Sequence, residues 1–148
     1  MRRVYWGLGQ SCRASSKDVN ERRATAIAYH QAGLRLAEGA DSTEFFDVHN
    51  AHFLWLIYLF QLGDWTTAMD YLERAEAAAR KLPESLHVAL MLGSKGLSRL
   101  LKQKSTADFE LLRASLAASE DTGSHIYQTI SRYLLGQSQF WLANFKTR

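Results

Sequence analysis

The sequence predicts an all-α fold: antiparallel helical hairpins in a right-handed stack, an α-solenoid with a repeat of about 40 residues. Three observations lead there. The 148 residues include one proline and nine glycines, and Ala, Leu, Glu, Lys, Arg and Gln, the good helix formers, dominate. Apolar residues recur at steps of three and four nearly everywhere. A shift of 40 residues lays the helical segments over one another.

The spacing predicts seven helices, over 3–13, 18–38, 43–62, 65–82, 84–102, 106–121 and 124–143. Asp18 with Glu21 caps the second, and Gly39 ends it; Ile27, His30 and Leu34 mark its inner face. Asp41 with Glu44 opens the third. Asp64 caps the fourth, where Ala68, Leu72, Ala75, Ala79 and Leu82 lie on one face. Pro83 suits the first turn of the fifth, whose stripe is Leu86, Ala89, Leu90, Gly93, Leu97, Leu100 and Leu101. Gly93 and Gly96 each cost up to about 1 kcal/mol against Ala in a helix, so a neighbouring helix is expected to approach closely there. Ser105 and Asp108 cap the sixth, which buries Phe109, Leu112 and Leu116 and stops at Gly123. Ser124 caps the last, with Ile126, Ile130, Tyr133, Leu134 and Trp141 as its face.

Under the 40-residue shift, Phe60 falls on Leu100 and Phe140, Ile57 on Leu97, Gly96 on Gly136, Met69 on Phe109 and Leu72 on Leu112. The turn Leu62–Trp65, "LGDW", falls on "KQKS" and then on "LANF" at Leu142–Phe145. The expectation is one helical-repeat domain over 1–148, cut in mid-repeat from a larger protein.

The run Phe53–Phe60 is apolar throughout, but a spanning helix needs roughly 20 such residues. A helix covered on several sides reads the same way, so this run is expected inside the stack. Basic and acidic residues number 18 and 15, a net charge of +3 without a lysine- or arginine-rich run, and direct nucleic-acid binding is not expected. Cys12 stands alone, which fits a reducing compartment. The first residues lack an apolar core of signal-peptide length. A cytoplasmic location is expected.

"YLFQLGDWTTAMDYLERAEAAARKLP" resembles a tetratricopeptide-type repeat through Gly63, Trp65, Ala68, Tyr71, Leu72, Ala75 and Pro83. His52 and Leu56 stand where the standard motif has Trp and Gly, and the spacing is about 40 where the standard repeat has about 34. Longer repeats of this kind are similar to the helical-repeat regions of large bacterial transcriptional activators of the MalT/LuxR type. The resemblance implies a non-enzymatic interaction scaffold in a regulator or, alternatively, a sensor domain that binds a small-molecule inducer.

No residue stands out for catalysis, for a cofactor or for a metal. His49 and His52, near Asp47, have metal-ligand spacing, but the sequence identifies no third ligand. Nothing places Cys12 beside His30, His49, His52, His87 or His125. "GSKGLS" at Gly93–Ser98 lacks the ending and the preceding strand of a phosphate loop. Ser94, Lys95, Ser98, Arg99 and Lys102 form a polar, basic face, either merely solvated or lining a groove for an acidic partner. The expected groove residues are His49, Asn50, Lys95, Arg99, Gln128 and Arg132, facing a protein or peptide. A homodimer through the 124–143 helix is the expected self-association.

Overall fold

The computed structural model describes residues 1–11, 18–38, 40, 45–82, 86–103 and 109–145, and their regular structure is entirely helical. The helices are α1 (Arg2–Ser11), α2 (Val19–Ala37), α3 (Phe45–Leu56), α4 (Trp65–Ala79), α5 (Leu86–Gln103), α6 (Phe109–Asp121) and α7 (His125–Phe145). α3 runs straight on into a π-helical turn, Ile57–Leu62.

The helix ends follow local chemistry. Asp18 Oδ1 accepts from the backbone N–H of Asn20 at 2.8 Å and of Glu21 at 3.4 Å, and Asp64 Oδ1 accepts from Thr67 at 3.1 Å. Gly63 (φ 67°) and Gly123 (φ 70°) close the π turn and α6 in the left-handed region, where a side chain would be strained. The caps expected at Gly39, Asp41, Glu44, Pro83, Ser105 and Asp108 lie outside the described residues.

The chain folds as two compact units, residues 1–82 and 83–148. In the first, α1 pairs with α2, α3 packs on both, and α4 pairs with α3. In the second, α5 pairs with α6, and α7 packs on both. There, neighbours in sequence run antiparallel: Ala89 meets Ser115, and Gly96, further along α5, meets Leu112, which comes earlier on α6. α5 and α7 run parallel: His87 meets Tyr127, and Gly93 meets Leu134.

On several helices, residues 40 apart in sequence are buried alike. On α4, Leu72, Ala75 and Ala79 are at most 1% exposed; on α6, so are Leu112, Ser115 and Ser119, each 40 residues on. On α2 the offset is 42: Ala26 and Gly33 are buried like Ala68 and Ala75. On α3, α5 and α7, Ala51, Met91 and Ser131 are buried in turn, as are Leu54, Ser94 and Leu134. Two side-chain contacts join residues 40 apart, Gln31 Nε2 donating to Tyr71 Oη at 3.0 Å and Tyr127 Oη lying 3.5 Å from His87 Nδ1.

Inside the apolar run, Leu54 and Trp55 are fully buried and Ile57 nearly so, while Phe53 stacks on His30 at 5.5 Å. Full burial of such side chains contributes roughly 1.5–3 kcal/mol each. The equivalence of Phe60, Leu100 and Phe140 fails in burial: 51%, 2% and 64% exposed. Phe60 lies in the π turn and Phe140 near the end of α7, and neither is covered as Leu100 is. On α7, Ile126 (71%) and Tyr133 (62%) point outward, not inward as their bulk suggests; the buried face is Ser131, Leu134 and Ser138.

The expected close approach at the α5 glycines is present. A Cβ on Gly93 would lie 2.8 Å from Ser115 Oγ and 2.9 Å from a Leu134 methyl, and one on Gly96 would lie 2.9 Å from Leu112 Cγ.

Candidate interaction face

Within the second unit, Val88, Leu92, Lys95 and Arg99 follow steps of 4, 3 and 4 along α5, which is one helical stripe. Forty residues on, Gln128, Arg132, Leu135 and Gln139 make the matching stripe on α7. Val88, Arg99, Arg132 and Gln139 are exposed, and the others are half-buried. Neither helix contains a carboxylate, whereas Lys95, Arg99, Lys102 and Arg132 supply positive charge. Arg132 Nη2 bonds Glu120 Oε1 of α6 at 3.2 Å; such an exposed pair is worth about 0–1 kcal/mol and exchanges readily for another carboxylate.

Small hydroxyl side chains hold this platform together. Ser115 Oγ donates to Ala89 O at 2.7 Å and lies 3.0 Å from Ser131 Oγ. Ser94 and Ser138 bond back to Leu90 O and Leu134 O at 2.9 and 2.7 Å. Serine takes little more room than alanine, and its hydroxyl is satisfied within its own helix or by the adjoining one, so backbones come close without leaving a buried donor orphaned.

His49 and Asn50 stand on α3, in the first unit. His49 is half-buried, its ring 4.1 Å from Phe45 and 6.4 Å from Trp6. Asn50 is fully buried, with Oδ1 2.8 Å from His30 Nδ1. The missing Cβ of Gly33 makes room for its amide, so Asn50 belongs to the core and offers nothing to a partner, contrary to its place among the expected groove residues.

His52 is buried beside Trp55, ring centroids 4.9 Å apart. Burial first, and His49 second, push its pKa down from 6.5 to about 3, so it is neutral near pH 7. Among the described residues no three His, Cys, Asp or Glu side chains converge as a metal site. Cys12 lies outside them. Gly93–Ser98 is an interior stretch of α5 with Gly93, Ser94, Gly96 and Ser98 all buried, so it forms no phosphate cradle.

Sequence reasoning missed two features of the first unit. Arg2 Nη1 and Asp47 Oδ2 form a buried ion pair at 2.9 Å between α1 and α3. Their separation of 45 residues leaves no local signature. A depression of about 510 Å³ is lined by Val19, Arg22, Arg23 and Ala26 of α2 and by Ile57 and Gln61 of the π turn. Arg23 Nε is buried there and finds no acceptor among the described residues.

Among the described residues no helix is long and apolar enough to cross a membrane. Comparison with family models, with curated proteins and with solved structures found no match.

Proposed function

We propose that this chain is a non-enzymatic, tetratricopeptide-like scaffold that binds a protein or peptide, its hairpins piled as a right-handed α-solenoid. The observation that carries this reading is the pair of matching stripes on α5 and α7. Adjacent parallel helices present Lys95, Arg99, Gln128 and Arg132 along these stripes, with no carboxylate on either helix. A surface built that way suits an acidic, extended or helical segment. The sequence resemblance to the repeat regions of bacterial transcriptional activators supports a regulatory, cytoplasmic setting.

The test is a titration with fluorescently labelled peptides of alternating glutamate and leucine, at low and moderate salt. Lys95→Glu with Arg99→Glu is expected to weaken binding by about tenfold or more, with the thermal melt of the double variant separating lost binding from lost folding. Equal affinity in the double variant would remove the stripe from the proposal.

The 510 Å³ depression favours a second reading, an inducer site. Two guanidinium groups beside Val19, Ala26 and Ile57 suit a small molecule with a carboxylate or phosphate at one end and an apolar body. A metabolite that raises the melting temperature of the parent chain but not of Arg23→Gln would support it. No stabilising compound among small anionic metabolites would leave the scaffold reading alone.

A further inference from the structure

α5 and α7 are alike on two faces and differ on the third. Each buries Met91/Ser131, Ser94/Leu134 and Ser98/Ser138, and each carries the stripe described above. On α5 the third face is Ala89, Gly93, Gly96 and Leu100, every one buried. α6 covers it: Ser115 Oγ bonds Ala89 O at 2.7 Å, Ser115 Oγ sits 2.8 Å from where a Gly93 Cβ would be, and Leu112 Cγ sits 2.9 Å from that of Gly96. Forty residues on, α7 presents Thr129, Tyr133, Gly136 and Phe140, every one exposed, with Tyr133 at 62% and Phe140 at 64%. A Cβ on Gly136 would meet nothing within 4 Å. Ile126, one turn before Thr129, adds a further 71%-exposed side chain.

We propose that this outward face of α7 docks an amphipathic helix of the α6 kind. The partner presents a leucine followed by small residues three and seven positions on. α6 does so with Leu112, Ser115 and Ser119, and α4 does so with Leu72, Ala75 and Ala79. It runs antiparallel to α7, its leucine over Gly136 and its first small residue over Tyr133, as α6 runs on α5. The inference rests on the repeat relation between α5 and α7 and is independent of what the basic stripe binds. Tyr133 and Phe140 are large apolar surfaces on one side of a helix whose opposite side is already in the core, and a contiguous patch of this kind marks a contact surface. Gly136 lets a backbone come close, as Gly96 does for α6.

The test appends a copy of residues 104–121, which carry α6, to the intact chain through a flexible Gly/Ser linker, so that docking is intramolecular. The expected result is a melting temperature several degrees above that of the parent and amide exchange across residues 129–140 slowed by about tenfold or more. Tyr133→Glu with Phe140→Glu is expected to abolish both gains, each read against the melt and exchange of the same double variant without the appended helix. No rise in melting temperature and no added protection would overturn the proposal. So would gains that survive the double variant. A parent dimer in light scattering that Tyr133→Glu disrupts and the appended helix does not would assign the face to a second copy of this chain and overturn the α6-like occupant.

Discussion

The two units solve one packing problem with different chemistry. In each, a helical pair receives a third helix against both members. The first unit joins its helices through an ion pair and a polar side-chain contact: Arg2 with Asp47 across α1 and α3, and His30 with Asn50 across α2 and α3. The second joins them through hydroxyls and missing side chains: Ser115, Ser131 and the glycines of α5. A buried ion pair fixes which groups meet but carries a large desolvation penalty. A serine–glycine contact costs little and instead demands close approach. The second unit therefore constrains residue size and helix spacing more than residue type.

The largest expected effect follows from the charged contact. Asp47→Leu leaves Arg2 buried without its carboxylate, and urea unfolding is expected to show a loss of about 3–5 kcal/mol. Arg2→Met combined with Asp47→Leu is expected to recover most of that loss. A double variant as unstable as the single one would show that the contact contributes more than relief of a stranded charge.

Next comes pH. Burial holds the folded-state pKa of His52 at about 3, below its ordinary 6.5, so the unfolded chain takes up a proton that the folded chain refuses. Stability is complete above pH 6.5 and erodes as pH falls toward 3, by about 1.4 kcal/mol per pH unit for one proton. Stability measured between pH 7 and pH 5 in His52→Leu is expected to fall less steeply, by about two-thirds of a proton on average. Equal slopes in parent and variant would mean that His52 is protonated in the fold.

A smaller loss is expected in the second unit. Ser115→Ala removes the bond to Ala89 O and the contact with Ser131 while keeping the volume nearly constant. A decrease of about 1–2 kcal/mol in chemical unfolding is the expected outcome. No change would mean that α5, α6 and α7 are held by shape alone.

Most helix limits were legible because capping is local: Asp18, Asp64 and Gly123 act within a few residues of themselves. The buried faces of α4 and α5 were legible because their apolar residues keep the helical period. The face of α7 was legible at Leu134 but not at its other buried positions. Bulk suggested Ile126 and Tyr133, but the core takes Ser131 and Ser138, which hydrogen-bond at no packing cost. The π turn left no mark in the spacing of apolar residues. Of the expected groove residues, Lys95, Arg99, Gln128 and Arg132 share matching stripes. Asn50 stands in the first unit and is buried against Gly33, 17 positions earlier in the sequence, a contact that only the fold reveals.

The central claim is that α5 and α7 are equivalent helices, one with its partner in place and one with that face open. Gly96→Ala and Gly136→Ala test it most directly, because the two positions are 40 residues apart and the substitution brings each the same helix-propensity gain of about 1 kcal/mol. Any difference in unfolding free energy between the two variants therefore reports packing. A net loss is predicted at Gly96, where the new methyl meets Leu112, and a gain of about 0.5–1 kcal/mol at Gly136, where it meets solvent. Equal gains at both positions would contradict the claim, since α6 would then not be seated against α5 as described.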